Sequence, residues 1–446
     1  MIKSNSYFRT NRGAALQTNQ PIDKRTIARI THRLIPFLFL LYIVAYMDRV
    51  NVGFAQLQMK SDLGFSDEVY GLGAGIFFIG YCIFSVPSNM VLQKIGARHW
   101  IAPFMVVWGI IAAGMMFIQS TTSFYVMRFL LGVGEAGFFP GMIFFLSEWF
   151  PEREKARAVS LFMIASPISG IIGGPIAGAL LGMHGFGGLE GWKWLFLIEG
   201  IPPIILAVFV WFFLTEQPSK AGWLKKDEKE WLITKLDEEK RALTTENSPH
   251  NLSTTMKNYR IWMLSLIYFS VNLGSYGVSL WLPQIVQNLS GYTPFLVGVV
   301  TVIPFLCAVI GMLSSSAHSD KTGERYLHTA IPGFIGATGL VIAALSGSPI
   351  VSLAAICFAA LGIWGIFGPF WTLPTSYLTG SAAASGIALI NSIGNLGGFG
   401  GPYLIGFLKQ SSGSYTPGLL VLAVAVLTSG LLTLIFKRLQ SRNREG

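Results

Sequence analysis

Long apolar runs alternate with short polar breaks along the chain, and most runs are too long for strands or for the helices of a soluble core. Stretches of 18 or more mainly apolar residues place spans 1 to 6 near 34–57, 69–92, 99–119, 122–147, 156–183 and 193–214. Spans 7 to 12 follow near 259–284, 293–316, 326–346, 349–373, 382–408 and 416–436. Between the two sets lies a long hydrophilic stretch, 215–258, with 8 basic and 8 acidic residues. Trp223, Leu224, Trp231, Leu232, Leu236 and Leu243 recur there at helical spacing, which predicts an amphipathic cytoplasmic linker helix. The expected fold is an all-α membrane protein of 12 transmembrane helices in two pseudo-symmetric six-helix bundles. The bundles span 34–214 and 259–436, with cytoplasmic tails 1–33 and 437–446. No signal peptide is expected, because the first apolar run is too long for an h-region and lacks a small-residue cleavage site.

Composition narrows the class. Of the 446 residues, 52% are hydrophobic and 12% charged, about half the roughly 25% charge of a soluble protein. A water-soluble enzyme of this size would need far more polar surface. The net charge of +10 would suit nucleic acid, but its placement argues otherwise. If both ends share one side, 27 of the 32 lysines and arginines fall there, against only Lys60, Lys193 and Lys409 opposite. That bias puts both termini in the cytoplasm and makes the basic balance a topology signal, with no nucleic-acid partner. Cys82, Cys307 and Cys357 lie far apart, the six histidines form no ligand pair, and no Walker-type loop occurs. The triplet of alternating glycines Gly71, Gly73 and Gly75 sits inside an apolar span, where a dinucleotide loop fails. No catalytic site, metal or cofactor is expected.

Two short signals recur at one offset. The loop Gln93-Lys94-Ile95-Gly96-Ala97-Arg98 after span 2 is answered by Asp320-Lys321-Thr322-Gly323-Glu324-Arg325 after span 8, 227 positions later. Gly173-Gly174-Pro175 in span 5 is answered by Gly400-Gly401-Pro402 in span 11 at the same shift. A duplicated unit in parallel orientation follows. Lys94, Arg98, Asp320, Lys321 and Arg325 are expected to form a latch between the halves. Gly170, Gly174, Gly178 and Gly182, with Gly394, Gly398, Pro402 and Gly406, offer bare helix faces for close approach. These faces would serve rocking motion or static packing.

The twelve spans, the duplication and the paired basic loops resemble the major facilitator superfamily over essentially the whole chain. The N-terminal loop departs from the usual pattern, with Asn89 and Gln93 in its Gly and Asp places. That form, with Tyr46-Met47-Asp48-Arg49-Val50-Asn51, Pro87-Ser88-Asn89, Arg128 before Gly134-Glu135-Ala136-Gly137, and Gly191-Trp192-Lys193-Trp194, is similar to the anion:cation symporter family. Its members include bacterial tartrate, phthalate, nicotinate, 4-hydroxyphenylacetate and sugar-acid permeases, with sialin and the vesicular glutamate transporters more distant. The resemblance implies that matching residues of spans 1 and 4 bind a substrate carboxylate and carry the proton.

The charges themselves point the same way. An ionisable residue at a helix centre costs at least about 2.5–3.5 kcal/mol on insertion scales, and Asp48, Arg49, Arg128 and Glu135 lie deep in spans 1 and 4. Arg128 and Glu135 are about 20° apart on one face and about 10 Å apart along it. Asp48 and Arg49 are about 100° apart, so one faces a cavity and the other a neighbouring helix. Arg49 and Arg128 stay charged and present planar forks suited to carboxylate, while Asp48 and Glu135 are the titrating, proton-coupling partners. The alternative is a pair of structural ion pairs joining the two spans. Tyr46, Tyr81, Asn272, Tyr276, Trp371, Asn391 and Asn395, with Tyr42, Tyr268 and Trp364, could complete the cavity or simply pack helices. Glu199 has a structural or gating role or contacts substrate or proton. The expected protein is a monomeric inner-membrane carrier that imports a mono- or dicarboxylate, tartrate-like or aromatic, by H⁺ symport. A drug or metabolite exporter on the same fold is the alternative.

Overall fold

The computed structural model of the chain describes residues 21–245, 258–377 and 380–445. Residues 1–20 of the expected N-terminal tail, 246–257 of the linker, 378 and 379 at the start of span 11, and Gly446 lie outside the described residues, as does the side chain of Leu243. Spans 1 to 6 are Ile22–Leu63, Asp67–Leu92, Ala97–Phe117, Thr121–Trp149, Glu152–Leu181 and Gly191–Phe213. Spans 7 to 10 are Tyr259–Ser290, Pro294–Thr322, Tyr326–Leu345 and Pro349–Pro374, and span 12 is Thr416–Ser441. Span 11 is two helices end to end, Gly380–Asn395 and Gly397–Ser412. The outer surface is apolar: Phe212 and Ile350 are 80% and 82% exposed, as lipid contact requires and water would not favour.

Two expected boundaries move. Span 1 begins at Ile22 rather than near residue 34, so part of the predicted tail is helix. Hydropathy detects only the apolar portion, whereas the first turns are held by polar bonds. Arg25 and Arg29 reach Glu228 of the linker at 2.9 and 2.7 Å, and Arg25 also pairs with Asp227. The final helix likewise runs on to Glu445. The linker helix is Lys226–Thr245. Leu232 and Leu236 are buried beneath it, and Trp223 just before it stacks on Trp149 of span 4 at 5.2 Å. The amphipathic spacing thus serves to clamp the linker onto the first bundle. Lys437 of span 12 bonds Glu324 at 3.0 Å, so both described chain ends and the linker share one face, here termed the terminal face.

Several spans break near mid-depth. Span 1 breaks at Asn51, span 4 at Ala136–Gly137, span 5 at Ile164, span 10 at Ile366 and span 11 at Leu396. Glycine beside or near the last two and the second explains the loss of regularity there.

The halves meet along two seams on the far-face side. Span 5 packs on span 8, where a Cβ added to Gly298 would lie 2.2 Å from the Gly174 carbonyl oxygen. Span 2 packs on span 11, where a Cβ on Gly71 would lie 2.6 Å from the Pro402 carbonyl oxygen. Backbones this close exclude any larger residue. The glycine ladders of spans 5 and 11 therefore line the interface between halves, except that Gly182 faces its own helix and Gly394 faces Tyr268 of span 7 in its own half. Residues 227 apart also meet on the central axis. Arg49 touches Tyr276, and Gly53 packs on the backbone of Leu280, so the duplication is an approximate symmetry of the molecule.

The charged latch lies elsewhere than expected. Arg325 bonds Asp320 at 2.5 Å and Ser319 Oγ at 3.0 Å within its own loop. Arg98 lies over Trp211 of its own half at 5.6 Å, while Lys94 and Lys321 are exposed. The ion pair that joins the halves is at the far face. Lys409 Nζ of span 11 is 3.2 Å from Asp67 Oδ1 of span 2, which also takes Lys60 Nζ at 2.7 Å. The Asp67 N–H donates to Gln410 Oε1 at 3.2 Å. The loop charges find partners within their own halves, whereas the far ends of spans 2 and 11 touch and can pair. On the terminal face, burial alone would raise the Glu324 carboxyl. Hydrogen bonds from Lys437, the Leu327 N–H and His328 instead hold it below the usual glutamate value.

Candidate functional site

A cavity with about 500 Å³ of empty space lies between the halves at mid-depth. Span 1 contributes Tyr42, Tyr46 and Arg49, and span 2 contributes Tyr81. Span 7 presents Tyr268, Asn272, Ser275 and Tyr276 along one helical face, and span 11 adds Asn391 and Asn395. Among the described residues, Arg49 is the single charged one lining this cavity.

Its guanidinium is shared. Nε and Nη2 donate to Glu135 Oε2 of span 4 at 3.2 and 2.9 Å, and Nη1 donates to Tyr276 Oη of the second half at 3.1 Å. The rings of Tyr81 and Phe77 lie 5.1 and 5.2 Å from its centre. One oxygen of Glu135 therefore carries the ion pair while Oε1 has no hydrogen-bond partner. A carboxylate with a spare lone pair in a buried site is poised to accept a proton. Asp48, one residue before Arg49, turns the other way, as their angular separation requires. Its Oδ2 accepts from Trp108 Nε1 of span 3 at 3.2 Å, and its Oδ1 is unpartnered.

Two expected cavity residues do not line it. Arg128 is fully buried and donates Nε and Nη2 to the carbonyls of Gly73 and Ala74 at 3.3 and 3.2 Å. It lies over the Phe77 ring at 5.0 Å. Two turns separate it from Glu135, and that axial distance carries it into the packing between spans 2 and 4, outside the cavity. Trp371 packs edge-on behind Tyr268 at 4.9 Å. Its seven-residue spacing from Trp364, which does line the cavity, is spoiled by the break at Ile366. Asn391 and Asn395 line the cavity and also bond each other along span 11, Nδ2 of Asn395 donating to Asn391 Oδ1 at 3.1 Å. Sequence reading missed Ser166, Phe139 and Met312. Ser166 follows the Ile164 break, a position that hydropathy does not mark.

The sequence pattern of the Major Facilitator Superfamily matches residues 38–402. The chain belongs to the major facilitator superfamily. A relative from Agrobacterium vitis named for tartrate transport is 48% identical over 417 residues, covering 94% of this chain and 92% of its own. A quinolone resistance transporter from Acinetobacter baumannii is 42% identical, covering 93% and 95%. The solved structure of a bacterial homologue of the lysosomal transporter Spinster, inward-facing and occupied, superposes with a TM-score of 0.74 at 17% identity, covering 91% and 96%. That likeness fixes the fold alone. The chain is a multi-pass membrane transporter of this superfamily, and its central cavity lies where the two halves of the fold meet.

Proposed function

We propose that the protein is a proton-coupled importer of a small organic anion, a mono- or dicarboxylate, in the bacterial inner membrane, with the terminal face cytoplasmic. It would be a member of the anion:cation symporter group and act as a monomer. The observation that carries the reading is the guanidinium of Arg49, alone among the described lining residues in its charge, in a cavity otherwise lined by phenols, serine hydroxyls, amides and apolar groups. Such a site pairs with one carboxylate and offers hydrogen bonds to hydroxyl or ring substituents. The tartrate-named relative supports this substrate class.

Charge balance supports the proton. Asp48, Arg49, Arg128, Glu135 and Glu199 are all buried. Arginine does not deprotonate in proteins, so two fixed positive charges face three carboxyls. One proton brings the set to neutrality, which low-dielectric surroundings favour. An incoming carboxylate takes Arg49 from Glu135, and the displaced glutamate then takes a proton. The complex with a monocarboxylate is then neutral, a dicarboxylate such as tartrate takes one further proton to reach neutrality, and the neutral unit moves between two alternating conformations. The far-face seams close the cavity on that side, and their parting would admit substrate.

Uptake of labelled L-tartrate into proteoliposomes tests the reading. An inwardly directed proton gradient should drive accumulation, a protonophore should abolish it, and the pH outside should rise with entry. Accumulation that ignores the protonophore would remove proton coupling. The 42% identity to a quinolone resistance transporter favours one second reading, extrusion. Quinolone efflux from the same vesicles, without tartrate uptake, would support it.

A further inference from the structure

A second cavity, with about 330 Å³ of empty space, lies on the far-face side of Arg49 and shares no lining residue with the first. Span 1 lines it with Val50, Asn51 and Phe54, span 5 with Ser169 and Gly174, and span 7 with Ser279. Among the described residues, Glu199 of span 6 is the one ionisable residue lining it. The residue is 5% exposed, and its neighbour as a hydrogen-bond donor is the side-chain amide of Asn51. The Asn51 Oδ1 in the same wall is unpartnered. Lys193, near the start of the same span, is committed to Glu190 at 2.5 Å. No described basic side chain lines the cavity.

Resting on the symport reading above, we infer that Glu199 is a proton-loading site that receives H⁺ from the far face and passes it to Asp48. Three observations converge. First, a buried carboxyl without a cationic partner is unstable as an anion, so it holds a proton in the resting protein. Second, Asp48 stands within electrostatic range of both Glu199 and Glu135, and Asn51, three residues on along span 1, faces Glu199. Asn51 lines the cavity of Glu199, and Asp48 stands about one helical turn before it on span 1, so the route from Glu199 to the Arg49 site runs along span 1. Third, Gly174 belongs both to this cavity wall and to the seam against Gly298. Parting of that seam opens the cavity to the far face, and its closure seals the loaded acid in.

The transfer conserves charge. A water entering the cavity carries the proton: the O–H bond of Glu199 breaks, an O–H bond forms on Oδ1 of Asp48, the water is regenerated, and Glu199 is left as the carboxylate. It reloads when the seam next parts. The groups facing Glu199 from its neighbours are Asn51 and Asp48 on span 1, Ser169 on span 5 and Ser279 on span 7. Span 3 packs on the next residue of span 6, Gly200, through the backbone of Gly109 and Ala113, with the Trp108 N–H already given to Asp48.

Two measurements test the relay. With labelled L-tartrate in proteoliposomes, Glu199→Gln should lose gradient-driven uptake by at least about tenfold. It should keep tartrate counterflow, which needs no net proton movement, within about twofold of wild type. Glu199→Asp should recover part of the driven uptake. The second measurement needs no substrate. Dicyclohexylcarbodiimide, which modifies protonated buried carboxyls, should label Glu199 at pH 7, as read by mass spectrometry of the purified protein. Full gradient-driven uptake by Glu199→Gln, or an unlabelled Glu199 beside a labelled Asp48, overturns the relay. So does driven uptake that requires sodium. Absence of tartrate counterflow in the wild type would instead count against the substrate reading, and labelling alone would then decide the relay.

Discussion

Arg49 and Arg128 are both buried guanidinium groups, and their surroundings separate them. Arg49 spends its donors on one glutamate oxygen and one phenol, both of which an incoming carboxylate can displace. Arg128 spends two on backbone carbonyls of span 2, which nothing mobile can replace. On the proposed reading the first is a binding group, while the second acts as a strut with one donor, Nη1, left unpartnered. Replacing each by lysine should therefore produce different defects. Arg49→Lys loses a fork that bonds in three directions and should raise KM by about 10- to 100-fold. That corresponds to about 1.5–3 kcal/mol for hydrogen bonds to a charged group. Arg128→Lys should leave KM within about threefold but destabilise the protein by a similar 1.5–3 kcal/mol, seen as earlier thermal unfolding in detergent. Equal KM defects in the two variants would show that Arg128 reaches substrate during the cycle.

Helices carry the next level of organisation, and here sequence and structure part in instructive places. Spans 2, 7 and 10 are legible because apolar length is a local property. Asn272 and Tyr276 were equally legible, since four-residue spacing within an unbroken helix fixes a face. The Trp364–Trp371 and Arg128–Glu135 spacings misled for two reasons. A break at Ile366 rotates the first pair out of phase, and axial distance separates the second. Angular position alone does not locate a cavity. The glycine ladders were visible as bare faces, but their partners across the molecule were not. Their function is now specific: Gly298 and Gly174 set how closely the seam can shut. Gly298→Val places a branched side chain against the Gly174 carbonyl, an overpacking worth about 1–3 kcal/mol. The seam should be held open and transport should fall by more than about tenfold. A cysteine placed by Ser169→Cys in the second cavity should then react with an impermeant maleimide from the far face. Protection of that cysteine in the Gly298→Val background would mean that the seam tolerates the extra volume.

Across the whole molecule, the balance between conformations rests on what each face uses to stay shut. At the far face that includes a network that no loop motif announced, with Asp67 at its centre between Lys60, Lys409 and the Gln410 amide oxygen. The Asp67–Lys409 bond crosses between halves and is largely shielded, with side-chain exposures of 11% and 15%, so it escapes most of the screening that weakens surface pairs. Such a bond belongs only to the conformation closed at the far face. Removing it can act on the equilibrium without touching the binding site. Asp67→Asn should therefore shift the population towards the far-open state by about 5- to 150-fold, the range for 1–3 kcal/mol of coupling. Spin labels placed across the far ends of spans 2 and 11 would report this as a longer distance peak in pulsed electron resonance. Because a ligand's apparent affinity scales with the population of the state it binds, substrate offered from the far face should bind more tightly to this variant. Substrate offered from the terminal face should bind more weakly, and the gain on one face times the loss on the other should equal the shift in the equilibrium. An unchanged distance distribution would mean that the apolar seams alone hold the far face shut and that the ion pair only decorates it.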